Sequence, residues 1–147
     1  MELKQNLVEE CKRLQQKVID NLRQEMNEAQ QSANEYGPPK DRYDSYRMQM
    51  LRKKDMYGQQ LDKAQNELYS LEKINFKKEI NVAEYGSVII TADQKYFISI
   101  GLGKIVFNKE TYFAVSASVP IAKAFAGKKK GDIVEFNDRK IKLEEVF

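Results

Sequence analysis

From Leu3 to Tyr36 the chain sets an apolar residue at every third or fourth position and contains neither proline nor glycine. The stripe runs through Leu3, Leu7, Cys11, Leu14, Val18, Leu22, Met26, Ala29, Ala33 and Tyr36. Steps of three and four describe one face of an α-helix. The intervening residues are mostly Gln, Glu, Lys, Arg and Asn. A seam this narrow cannot be buried by a lone helix; it needs a partner of the same kind. The partner follows a corner, "NEYGPPKDRYDSY" (34–46). Beyond it the pattern returns at Tyr46, Met50, Tyr57, Leu61, Ala64, Leu68 and Leu71, with Lys54 interrupting the stripe and Gly58 beside it. So short a connection makes the second helix run back along the first, so that the two seams close on each other. Arms of roughly 30 residues extend about 45 Å at helical rise.

The second half has a different period. "GSVIITA" (86–92), "KYFISIG" (95–101), "GKIVF" (103–107) and "TYFAVSA" (111–117) are β-branched and aromatic runs between short polar breaks. "VPIAKAFAG" (119–127) predicts a short helix, with Pro120 in its first turn and Gly127 as its stop. "DIVEF" (132–136) and "RKIKLEEV" (139–146) predict a hairpin around Asn137 and Asp138, a pair that tolerates positive φ. "GLGK" (101–104) has no helix after it and reads as a turn, not a phosphate loop. The expectation is therefore an α+β chain. Residues 1–75 form an antiparallel coiled-coil hairpin with its tip at 35–46, and residues 76–147 form a small antiparallel sheet domain with one short helix.

Composition removes several function classes. Histidine is absent and Cys11 is the single cysteine, so the chain supplies no Ser-His-Asp or Cys-His centre and no ordinary zinc set. One cysteine on an apolar seam reads as packing, in a reducing cytoplasm. No stretch reaches membrane-spanning length, and "MELKQNLVEECKRL" does not read as a signal peptide. Charged residues make up 32% of the chain, which suits a long solvated helical element joined to a smaller packed domain. Residues 1–75 carry 13 basic and 13 acidic residues, while residues 76–147 carry 12 and 9, with three lysines together at 128–130. That surplus is less than a dedicated duplex-DNA binder usually carries.

The corner has a complete structural explanation. Gly37 ends the first helix in a left-handed conformation, and Pro38 and Pro39 prevent its continuation. Asp41 is placed to cap the second helix, and Asp44 lies in its first turn, where an acid favours the helix dipole. The corner also gathers the carboxylates of Glu35, Asp41 and Asp44, diluted by Lys40, Arg42 and Arg47, and the rings of Tyr36, Tyr43 and Tyr46. Aromatic side chains at the end of a narrow rod suggest a contact surface. Such a rod can carry carboxylates into a channel that a globule cannot enter.

"VPIAKAFAGKKKGDIVEF" (119–136) resembles the C-terminal signature of the bacterial Gre-type transcript cleavage factors. There a Ser-Pro-Ile-small-x-Ala-Leu-x-Gly-Lys run precedes Gly-Asp and a strand. Pro120, Ile121, Ala122, Ala124, Gly127, Lys128, Gly131 and Asp132 match; Val119 stands in place of Ser and Phe125 in place of Leu. The order of parts is also similar, a coiled-coil hairpin and then an FKBP-like sheet domain. The resemblance implies a cytoplasmic, monomeric factor, with no membrane partner, that binds RNA polymerase at its secondary channel. Its docking face would include Pro120, Ile121, Lys123, Gly127, Lys128 and Asp132. The tip, with Glu35, Tyr36, Tyr43 and Tyr46, would enter the channel and meet RNA and DNA only within the elongation complex. Tip carboxylates, Asp41 and Asp44, would help hold a Mg²⁺ shared with the polymerase active centre and promote cleavage of backtracked RNA. The chain would then be an accessory to catalysis, not a free-standing nuclease.

The corner departs from the family pattern. Aligned on Gly37 and Lys40, the family's first tip aspartate falls on Pro38, and its two later glutamates fall on Asp41 and Asp44. Proline has no side-chain oxygen for a metal. A second reading is therefore a channel-binding regulator that does not support cleavage. A third, from another class, is a folding helper or prolyl isomerase, which would need a concave aromatic pocket.

Overall fold

The computed structural model describes residues 2–35 and 44–147, with only the backbone of Asp44. Two long helices come first, α1 (Glu2–Asn34) and α2 (Asp44–Glu72). Seven short strands follow: β1 (Val88–Ile90), β2 (Lys95–Ser99), β3 (Gly103–Phe107), β4 (Glu110–Ser116), β5 (Ile133–Phe136), β6 (Arg139–Lys142) and β7 (Glu145–Val146). A short helix α3 (Pro120–Phe125) lies between β4 and β5. The chain is α+β, with two long helices followed by a small, mainly antiparallel sheet domain with one short helix. It divides into two compact units, Leu14–Tyr69, and Met1–Arg13 with Ser70–Phe147.

In the Leu14–Tyr69 unit the helices run antiparallel. Gln15 Nε2 donates to the Ala64 carbonyl at 2.9 Å, and Lys54 Nζ donates to Gln30 Oε1 at 2.7 Å. Between these two ties, Met26 approaches Gly58, whose added Cβ would lie 3.5 Å from the methionine methyl. The buried stripe of α1 follows the sequence expectation at Leu7, Cys11, Ala29 and Ala33 and departs from it locally between Gln15 and Ile19. Ile19 is 1% exposed and Gln15 is buried, whereas Val18 is 39% exposed. Lys54, which interrupts the stripe in sequence, lies on the contact face and meets Gln30 there. Gln15 is tolerable in that position because its amide finds a hydrogen-bond partner.

In the other unit β3-β4-β2-β1-β7 form one sheet and β5-β6 a separate ribbon. One pairing departs from the antiparallel expectation. β2 and β4 are parallel, with Tyr96 opposite Phe113 and Ser99 opposite Ser116. The cause is local. Asn108 and Lys109 both take positive φ, at 51° and 65°, and close a tight hairpin between β3 and β4. The residues between β2 and β3, with Gly103 at φ 75° opening β3, carry β3 outward. β4 therefore returns into the slot beside β2. The predicted hairpin at Asn137 and Asp138 forms with the same backbone, φ 51° and 62°.

The core on one side of the sheet joins Ile89, Ile98 and Val146 to Ala122 and Phe125 of α3, Val134 of β5 and Leu143. Phe125 is fully buried, and its ring lies 5.3 Å from that of Tyr96 at 60°. A buried ring of this size stabilises by about 1.5–3 kcal/mol through desolvation. Leu7, Val8 and Cys11 of α1 are buried as well. Burial pushes the Cys11 thiol up to about 12, against the opposing influence of the Ser99 hydroxyl. The packing role expected of Cys11 fits that environment.

Candidate partner-docking site

The segment from Val119 to Asp132 is held by its backbone. Val119 sits at the cap position of α3 in an extended conformation and makes no side-chain capping bond, as a valine must. Pro120 opens the helix, where its missing N–H costs nothing. Gly127 follows the last turn at φ 76°, in the left-handed region that favours glycine. Its N–H donates to the Ala83 carbonyl at 2.9 Å, and the Ala83 N–H returns a bond to the Lys128 carbonyl at 2.8 Å. The lysine run is thus a short rung against residues 82–83, with Val82 and Lys129 bridged.

Asp132 closes the loop. Its Oδ2 accepts the Lys129 N–H at 2.8 Å, its own N–H donates to the Lys129 carbonyl at 3.0 Å, and its carbonyl accepts the Leu143 N–H at 2.9 Å. Gly131, at φ 90°, donates to the Leu143 carbonyl at 2.7 Å. Lys130 pairs with Glu145 at 2.9 Å. Matching residues of the segment therefore fall into two groups. Pro120, Gly127, Gly131 and Asp132 shape the backbone. Lys123 and Lys128 are exposed, and Ile121 is half-buried against the core. Ile133, beside Asp132, is 63% exposed.

At the other set of residues, Glu35 is exposed and its N–H bonds to the Gln31 carbonyl at 2.9 Å, which extends the last turn of α1. Asp44 begins α2, and Tyr46 lies in its first turn, 37% exposed. Tyr36, Gly37, Pro38, Pro39, Lys40, Asp41, Arg42 and Tyr43 lie outside the described residues. Among the described residues no group of three or more carboxylate or cysteine ligands is arranged to hold a metal ion. Among them, too, no helix is long and apolar enough to cross a membrane. The corner and the helix-loop segment lie in different units.

Sequence reasoning missed one feature. Lys4, on the first turn of α1, is only 3% exposed, and burial lowers its ammonium pKa against an opposing pull from Glu84. Its Nζ lies 5.8 Å from the centroid of the Phe147 ring. The only signal was its place one step from Leu3 and three from Leu7, and a lysine there ordinarily reads as solvated.

No protein-family model matches the chain, and neither does any curated protein sequence. Among solved structures, the crystal structure of the GreA factor homolog 1 protein of Thermus thermophilus is similar, with a TM-score of 0.36 and 17% sequence identity over 92% of each chain.

Proposed function

We propose that this chain is a Gre-like transcription elongation factor that binds RNA polymerase at its secondary channel. In this reading residues 76–147 dock, and the tip of the 1–75 hairpin enters the channel and promotes cleavage of backtracked RNA. The protein works as a monomer in the bacterial cytoplasm. The observation that carries the reading is the Pro120–Asp132 segment. Its signature residues fix the backbone through α3, Gly127 and the Asp132 brace, and the lysines between them remain exposed. A rigid loop that displays cations loses little conformational entropy on binding an acidic protein surface.

The cleavage role rests on the acids of the corner. Asp41 and Asp44, with Glu35 in the same stretch of sequence, offer hard oxygen donors of the kind Mg²⁺ prefers. A Mg²⁺ shared with the polymerase would supply activation of water and stabilisation of the leaving oxygen. The non-cleaving regulator is the second reading, favoured by Pro38 at the position of an expected acid.

The test is a stalled, backtracked elongation complex given wild type, Asp41→Asn or Asp44→Asn, with polymerase binding measured in parallel. Shortened RNA with wild type, and its loss in the variants at unchanged binding, is the expected result. Binding without cleavage by the wild type overturns the cleavage role and leaves the regulator.

A further inference from the structure

A cavity of about 310 Å³ opens in the sheet-bearing unit, lined by Lys4, residues 76–81, Val146 and Phe147. Three observations at this cavity point to a ligand. The first is Lys4 itself, 3% exposed. Among the described residues its ammonium has no ion pair or hydrogen bond; the Phe147 ring, 5.8 Å away, is its near neighbour. A buried ammonium without a direct counter-ion is costly, and groups perturbed by burial beside a charge cluster at functional sites. The second is the charge of the lining. Lys4, Lys77 and Lys78 face a single lining side-chain carboxylate, Glu79, with the terminal carboxylate of Phe147 in the same lining. Glu84 lies beyond, 3.8 Å from Lys78, and is the charge that pulls against the burial of Lys4. The third is the wall. Phe76, Ile80, Val146 and Phe147 supply apolar surface next to the cations. By comparison, an apolar cavity of about 150 Å³ is enough to hold benzene.

We propose that this cavity binds a small aromatic anion, its carboxylate or phosphate paired with Lys4 and its ring against Phe76 and Phe147. The division of labour is the usual one for small-molecule sites, an apolar body held by rings and one end fixed by charge. An anion beside Lys4 favours its charged form, so affinity rises as pH falls through the lowered pKa of that lysine. The proposal is independent of polymerase docking.

The test uses the full chain and amide NMR titration with four probes. Benzoate and phenyl phosphate carry ring and charge, acetate carries charge alone, and benzyl alcohol carries the ring alone. The expected result is saturable shifts at Asn81 and Val146 with one or both ringed anions, and much weaker binding of acetate and benzyl alcohol. Lys4→Met keeps the length and apolar stem of the side chain and should weaken the ringed anion by about tenfold or more. Phe147→Ala keeps the ammonium and should reduce the ringed anion towards acetate, which gives a second reading if Lys4→Met folds poorly. Preference between benzoate and phenyl phosphate assigns the anion. The proposal is overturned if neither ringed anion gives saturable shifts at about 10 mM. It is also overturned if Lys4→Met and Phe147→Ala, both folded, bind as the wild type does.

Discussion

Val18 and Ile19 are adjacent β-branched residues, and the fold buries one and exposes the other. Hydrophobic spacing favours Val18, four residues from both Leu14 and Leu22, whereas Ile19 keeps a three-and-four step only through the polar Gln15. The choice is made by the partner helix, where Gln15 meets the Ala64 carbonyl and fixes the rotation of α1. Lys4 shows the same limit more sharply, since a residue type that is nearly always solvated is here enclosed. Cys11 was legible, because a small residue on the stripe with no partner cysteine has little other role. Its environment makes a clear prediction. A thiol held up to about 12 is almost wholly protonated at neutral pH and shielded from reagents. Maleimide or a disulfide reagent should leave Cys11 unmodified in the native protein and label it fully in denaturant, as mass spectrometry would show. The sign of the linked pH effect follows. The folded-state pKa lies above the ordinary value of 9.0, so this contribution to stability is complete below 9 and declines as pH rises towards 12. Denaturant midpoints between pH 8 and pH 11 should fall less in Cys11→Ala than in wild type, after correction for the variant's lower baseline.

Elements follow their local signals closely where the signal is a turn. The Asn137-Asp138 hairpin and the Gly127 stop of α3 both form as their residue types dictate. The parallel pairing of β2 with β4 was not legible, because strand order depends on where the β3–β4 hairpin folds back and not on the composition of any one strand. Two substitutions test the element accounts. Gly58 lies inside α2, and an added Cβ would meet the Met26 methyl at 3.5 Å, an ordinary contact. Gly58→Ala should therefore raise stability by about 1 kcal/mol through helix propensity, read from urea unfolding. A decrease would mean that the helices pack more closely there than this geometry shows. At α3 the cap residue Val119 offers no oxygen. Val119→Thr keeps the branched shape against the core and supplies a capping hydroxyl, so a gain of about 0.5–1 kcal/mol is expected by the same measurement. A loss of stability would mean that desolvating the hydroxyl outweighs the cap.

At the scale of the whole molecule the sequence carried the order of parts and the signature segment, and the structure explains how that segment is held. Asp132 is the informative residue. The resemblance implies it as part of a docking face, and its carboxylate also braces the Lys129 N–H within the loop. Removing it should disturb binding indirectly, by loosening the display of Lys123 and Lys128. Reversing those lysines should act directly on charge, with the fold intact. The central claim is that this display docks on RNA polymerase. Its most direct test is equilibrium binding of the full chain to purified bacterial core RNA polymerase at low salt, for wild type and the Lys123→Glu, Lys128→Glu double variant. The account predicts a dissociation constant of about micromolar or tighter for wild type, rising by about tenfold or more in the double variant with an unchanged circular dichroism spectrum. Absence of wild-type binding at micromolar concentration, or equal binding by the charge-reversed variant, would contradict it.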